Sequence, residues 1–294
     1  MLYLVDASFF VFRAYYSVSP ELVDHDERPV NALYGFARFL QDLLEQARPQ
    51  YLAVAFDESL AGSFRNRLYP AYKANREPAP IELKQQFARC RALCRHLGLA
   101  EFGSPDYEAD DIIGTLTTRM RARGLRTTVV TRDKDLSQLV RAGDWFWDFA
   151  ADERYGYGDL EERFGARPER MADYLALTGD GVDNIPGVPG IGPKTAAAIF
   201  RHFESLDHLY DDVEAAATLP VRGAAGLPAK LRQHREVAYL AQSLTRIACD
   251  VPLAFAAEDL APKRFDVAAL EAFYDAAKFG PGLKRQAQRL ATRG

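Results

Sequence analysis

Nine carboxylates gather in five short clusters, each where a strand or turn is expected to end. They are Asp6 in YLVDAS, Asp57 in AVAFDES, Glu108, Asp110 and Asp111 in YEADD, Asp133 and Asp135 in TRDKD, and Asp180 and Asp183 in TGDGVDNIPG. Drawn into one pocket, they would repel one another strongly unless divalent cations neutralised them. The donors are all oxygens, with no thiolate and no histidine in any cluster, which suits Mg²⁺ or Mn²⁺ over zinc. A single Mg²⁺ has no need of so many carboxylates. Two ions about 4 Å apart would use them, some through water, and would activate a water molecule for hydrolysis. The five histidines lie outside these motifs, so the sequence offers no histidine base.

Each cluster also has a local explanation. Glu108 and Asp111 are three apart on one face of a helix start, with Asp110 about 100° round. Acids in a first helical turn gain ~0.3–1 kcal/mol each from the helix dipole. Asp133 could cap a helix beginning at Lys134, and Asp180 and Asp183 could be turn residues among glycines. All of these holding independently, with Asp6 and Asp57 at strand ends as well, is the less economical account.

The elements that must position these acids alternate. Residues 2–5, 51–56 and 126–131 read as strands, while 32–45, 82–97 and 108–121 carry helical periodicity. Alternation predicts an α/β fold with a mostly parallel central sheet flanked by helices. Ligands of such sheets bind beyond the carboxyl ends of the strands, where Asp6, Asp57 and Asp133 fall. From about residue 159 the pattern turns helical, with helices expected at 168–178, 194–203 and 229–244. We expect a nuclease-like core at 1–165, a helical region at 166–250, and an extension at 251–294 with a helix near 267–278 and a basic end.

Composition sets the bounds. The chain has 294 residues, 48% hydrophobic and 27% charged, which suits one large domain or two coupled ones. It has no apolar run long enough to span a bilayer, and its start has no basic n-region. Three cysteines make no disulfide framework, so a reducing, cytoplasmic setting is expected. Cys90 and Cys94, four apart on a helix, read as packing residues more readily than as zinc ligands. Net charge is −4, yet setting aside the nine clustered negative charges leaves +5 for the rest. An acidic chain can therefore carry a basic face around an acidic hole.

Two further motifs point to nucleic acid. The run from Ile185 to Thr195, IPGVPGIGPKT, leads a glycine-rich hairpin into an Ala-rich helix. Gly190 and Gly192 allow positive φ and leave amides uncovered, beside Lys194, as in phosphate-binding helix starts. A plain tight turn has no need of these glycines with a lysine, and Walker-loop spacing is absent. In FRNRLYPAYKANR, residues 64–76, cations alternate with Tyr69 and Tyr72, the mixture that grips single strands. An ordinary surface loop would have similar composition, but this one follows Asp57.

In this order, the motifs resemble the 5′-nuclease superfamily, and in particular the bacterial 5′–3′ exonuclease/flap endonuclease domain. YEADD and GDGVDNIPGVPGIGPKTA are the most specific, and the likeness runs from Leu4 to about Pro252. It implies a PIN-like core, a helical arch at about 58–84 and a helix-hairpin-helix (H2TH) region at about 185–203. It implies Asp6, Asp57, Glu108 and Asp110 around one metal ion. Asp133, Asp135 and Asp183 would surround a second, with Asp110 between them and Asp111 and Asp180 in less defined metal-site roles. Lys73 and Arg76 would act catalytically with Asp57 and Asp110, and Arg13, Tyr72, Gly190, Gly192, Lys194 and Thr195 would meet DNA. Backbone carbonyls at Val188 and Ile191 would hold K⁺. Ala7 replaces a frequent family glycine, and Phe9 to Phe12 is unusually apolar, but no carboxylate is missing.

The activity implied is Mg²⁺- or Mn²⁺-dependent cleavage of DNA at 5′ flaps and frayed or recessed 5′ ends, leaving a 5′-phosphate. A stand-alone or separated nuclease domain, monomeric and without membrane contact, is expected, alongside replication or repair proteins. Two other readings stay open: a non-catalytic DNA-structure binder on the same scaffold, and a PIN-like ribonuclease.

Overall fold

Leu2, Leu4 and Val5 point to opposite faces of the first strand, and all three are buried. Such a strand must lie inside a sheet covered on both sides. The computed structural model describes residues 1–58 and 62–292. It begins with β1 (Leu2–Asp6), α1 (Ala7–Ser17), α2 (Asn31–Ala47), β2 (Tyr51–Asp57), α3 (Phe64–Leu68), α4 (Ile81–His96), β3 (Ala100–Ser104), α5 (Ala109–Arg121) and β4 (Thr127–Val130). A hairpin, β5 (Trp145–Asp148) and β6 (Glu153–Gly156), completes a six-stranded sheet of order β3-β2-β1-β4-β5-β6. Only the β5–β6 pair is antiparallel, so the sheet is mostly parallel as expected. The chain builds outward from β1 to β3, then returns to pair β4 on the other side of β1. The order therefore reverses at β1, where a crevice opens at the carboxyl ends.

Two apolar layers hold the sheet. Val5, Val54 and Phe56 pack against α1, α2 and α4, with Cys90 and Cys94 buried in that layer. Leu2, Leu4, Ala53 and Ala55 pack against Ile112, Ile113 and Leu116 of α5 on the opposite face. The expected strands and long helices form within a few residues of their expected limits. Helix α1 was not among the expected elements: Asp6 accepts the Phe9 amide at 3.3 Å and caps a helix directly after the strand.

The helical part comprises α6 (Leu160–Phe164), α7 (Met171–Thr178), α8 (Pro193–His202), α9 (Leu206–Asp211), α10 (Leu227–Gln233) and α11 (Arg235–Thr245). It has its own core, including Leu175, Ile199, Phe203 and Leu231. The single helix expected at 229–244 is broken at His234, whose amide reaches back to Lys230 and Leu231. Beyond it, α12 (Val267–Ala276) and α13 (Pro281–Ala291) return to the first layer. Leu270, Tyr274, Leu283 and Ala287 join its core, and Gln41 donates to the buried Tyr274 hydroxyl at 3.0 Å. The basic end is thus an amphipathic helix packed on α2. No described helix is long and apolar enough to cross a membrane.

Candidate active site

Asp6 and Asp57 close β1 and β2, and Glu108 caps α5, whose first turn carries Asp110. Asp133 caps a short 3₁₀ helix, Lys134–Leu139, that carries Asp135. Asp183 arrives from the turn after α7, closed by paired amide bonds between Asp180 and Ile185 of 2.8 and 3.0 Å. These seven carboxylates, from five separated segments, line one cavity of 780 Å³. Local bonds aim several of them. Thr131 donates to Asp6 at 2.9 Å, the Ala109 amide to Asp57 at 2.8 Å, and the Asp135 amide to Asp133 at 3.0 Å.

The electrostatics are those of crowded acids. Burial, then Asp57 and Asp133, push Asp6 up to about 7. Burial and Asp133 push Asp135 up to about 7. Asp110 stands well above the usual carboxylate range, through burial and the charges of Asp133, Asp6 and Asp57, and burial also raises Asp133. Glu108 behaves oppositely: burial would raise it, but Lys73 and Arg65 hold it below its ordinary value.

Lys73 and Arg76 span this rim. Lys73 Nζ lies 2.9 Å from Glu108 Oε2 and 3.7 Å from Asp183, and Arg76 pairs with Asp183. Main-chain and amide bonds fasten the same segment: Lys73 N to Asp183 O at 2.9 Å, Asn75 to Gly181 O at 3.0 Å, and Asn184 to Ala71 O at 2.7 Å. The result is a strap from residues 71–76 across to 181–184. Of the expected arch span, 59–61 lie outside the described residues. Between Gly62 and Pro80 the structure has one short helix, α3, and turns.

The oxygen-only donor set fits divalent cations, and Lys73 and Arg76 stand in for part of the missing positive charge. Asp135 Oδ1 is buried without a hydrogen bond, its nearest cation being Lys134 at 3.4 Å. As they stand, no three or more of the described acids, histidines or cysteines close on a common point that could hold an ion. Lys73 pairs with Glu108, and Arg76 with Asp183, across the rim.

Asp111 corrects the expected metal set. It is 0% exposed, its oxygens accept two bonds from Arg65 (2.7 and 2.8 Å), and it also receives the Ala248 amide at 2.8 Å and the Glu108 amide at 3.1 Å. No lone pair is left to face an ion. Arg65, 3% exposed, also donates to Leu244 O at 2.7 Å and Arg246 O at 3.0 Å. Its segment had the composition of a surface loop, and nothing local marks it as buried; only the partner 46 residues on does. Asp180 is likewise committed, to Lys134 at 2.6 Å and to the Val182 amide at 2.8 Å. It lies outside the main cavity.

Tyr72 is the other correction. Rather than offering its ring to bases, it is 3% exposed, packs in the helical core and donates to Glu108 at 3.0 Å. Tyr69 packs against the same core. Arg13 is exposed on α1, one turn beyond Phe9, and does not line the cavity, whereas Phe9 and Phe12 do.

The glycine-rich turn follows directly from the Asp180–Ile185 closure. Gly187 crosses the end of α7 so closely that a Cβ would lie 2.4 Å from the Thr178 carbonyl carbon. Gly190 takes positive φ, +74°, whereas Gly192 is extended at φ −97° and serves as the cap residue of α8. Val188 and Ile191 bury their side chains, and the Ile191 amide donates to Val188 O at 3.0 Å. Lys194 is exposed and Thr195 half-buried in the first turn of α8.

Comparison with known proteins gives a consistent picture. A family model described as 5′-3′ exonuclease, N-terminal resolvase-like domain, matches residues 1–165, and one described as 5′-3′ exonuclease, C-terminal SAM fold, matches residues 166–268. The chain is 34% identical over 266 residues to a 5′-3′ exonuclease of Aquifex aeolicus, covering 90% of this chain and 88% of that one. It is 41% identical over 259 residues to the DNA polymerase I of Rhizobium leguminosarum, covering 86% of this chain but 25% of that protein. The chain thus spans about a quarter of that longer relative. A crystal structure of the T5 D15 protein with metal ions superposes with a TM-score of 0.67 at 19% identity, covering 99% of this chain and 98% of that one. At that identity the likeness is one of fold.

Proposed function

The chain belongs to the 5′-3′ exonuclease family, and from that premise we propose that it is a divalent-metal-dependent hydrolase of DNA phosphodiesters, acting at 5′ ends, flaps or junctions. The observation that carries the reading is the rim itself: seven carboxylates from five segments share one cavity under a strap of two cations. Asp6, Asp57, Glu108, Asp110, Asp133, Asp135 and Asp183 are the residues that would hold Mg²⁺ or Mn²⁺. Ions bound there would supply charge neutralisation and water activation at a phosphodiester.

The chain's own groups do the remaining work. Lys73 and Arg76, carried over the rim by the strap, meet the charge that develops on the phosphate once ions take over Glu108 and Asp183. Tyr72 orients Glu108, and Thr131 orients Asp6. The turn at 187–192 with Lys194 and Thr195 grips the duplex through its phosphates, and the Val188 and Ile191 carbonyls are the groups that would hold K⁺ there. Phosphate contacts carry no base information, so recognition is of structure.

Cleavage of matched 5′-flap DNA and RNA with Mg²⁺ and with Mn²⁺ tests this directly. Asp57→Asn, or excess EDTA, abolishes cleavage of the DNA flap. Full activity in EDTA would sink the two-ion mechanism, and cleavage of RNA alone would replace it with a ribonuclease.

A further inference from the structure

A second cavity of 410 Å³ lies beside the first, on the β5–β6 side of the strap. The two share Arg76, Asp133, Asp135 and Asp183, so one opens toward the carboxylate rim of the other. Its outer wall is different in kind. Arg132 and Arg163 line it, with Lys134, Phe146 and Tyr155. The Arg163 guanidinium lies 5.1 Å from the Tyr155 ring centroid, and both side chains are accessible from the cavity.

Its acids divide into two groups. Asp148 and Asp180 are spent internally. Asp148 accepts the Ala150 and Ala151 amides at 3.2 and 3.1 Å with Arg132 Nε 3.4 Å from its other oxygen, and Asp180 holds Lys134. Asp133, Asp135 and Asp183 belong to the shared rim. Once divalent ions neutralise that rim, Arg76, Arg132, Lys134 and Arg163 face Asp148 and Asp180 within the pocket and Glu153 at 3.9 Å from Arg163, so positive charge is in excess and the pocket becomes an anion site. Arginine forks match phosphate oxygens, and an aromatic wall beside them accepts a base. The volume falls within the range of small-ligand sites, roughly 300–1,000 Å³.

We propose that this pocket is a nucleotide subsite that takes a 5′-phosphorylated nucleotide next to the cleavage rim, with Arg132 and Arg163 on its phosphate and the Tyr155 side on its base. The identity of the strand rests on the nuclease reading above. The nucleotide is either the terminal one of the strand being cut or a free 5′-mononucleotide. Occupancy requires divalent ions, because the empty rim repels the same phosphate.

Binding in Ca²⁺ tests it without reliance on turnover. Three probes are titrated: dAMP, a nicked duplex with a 5′-phosphorylated one-nucleotide flap, and the same duplex without the flap. In Arg132→Ala/Arg163→Ala the affinity advantage of the flapped over the unflapped duplex shrinks roughly fivefold to tenfold. The lysine pair, Arg132→Lys/Arg163→Lys, restores part of it. Both arginines are about half exposed, so the variants fold. Loss in the flap arm alone assigns the site to the strand terminus, loss in the dAMP arm alone to the free mononucleotide, and loss in both to either. No change in either arm, or equal binding in EDTA, overturns the proposal. Cleavage by the wild-type chain in Mg²⁺ is scored separately: its absence removes the nuclease reading and leaves the binding arms decisive.

Discussion

Arg65 and Asp111 meet side-on through two parallel hydrogen bonds of 2.7 and 2.8 Å, both withdrawn from solvent. The pair joins α3 to α5, and through Leu244 and Arg246 to the end of α11. Removing one partner of such a buried pair leaves the other charge unpaired. Arg65→Ala therefore lowers stability by about 3–5 kcal/mol in chemical unfolding. Asp111→Asn is also destabilising, but the protein that remains folded keeps its divalent-ion affinity by calorimetry. Loss of that affinity would return Asp111 to the metal set.

Lys73 competes with cations for Glu108 and Asp183. Lys73→Ala tightens Ca²⁺ or Mn²⁺ binding to the DNA-free protein, because a resident positive charge is gone. The same change slows single-turnover flap cleavage by about 10² or more, since the phosphate loses a fixed donor. Weaker ion binding with unaltered turnover would show that Lys73 serves only to hold the strap.

The crowded acids make stability depend on pH. Asp6 and Asp135 sit at about 7 when folded, against an unfolded value of 3.8. The folded state thus holds protons that the unfolded state releases. Their stabilising contribution is complete below about pH 4 and is lost as pH rises through 7. In EDTA the Tm falls between pH 5 and pH 8, and the Tm gained on adding Mg²⁺ grows over the same interval. A gain in Tm from Mg²⁺ that shrinks with rising pH would contradict the crowding.

Lys194 tests the glycine-rich turn. Lys194→Ala weakens duplex binding and lowers the slope of log K on log salt by about one. An unchanged slope would mean that this lysine does not touch phosphate.

What the sequence disclosed follows from locality. Asp6 and Asp57 directly follow strands, and parallel topology alone carries them to one edge. Long amphipathic helices such as α2 announce themselves by period. Arg65 could not be read, because its meaning depends on an acid 46 positions away in a cluster where every acid looks alike. Tyr72 shared its segment's composition with a solvent loop, and only the helical core that receives it, residues 171–244, tells otherwise. Gly192 has the same freedom as Gly190 two positions before it, and only the helix that starts at Pro193 fixes it as an extended cap residue.

The helical hairpin of α12 and α13 has a consequence for biosynthesis. Tyr274, Leu283 and Ala287 complete the packing layer begun by Val5, Phe36 and Leu40. That layer stays unfinished until α13 has left the ribosome. The apolar side of the amino-terminal half is uncovered until then, and chain truncation before α12 leaves that side of the core open.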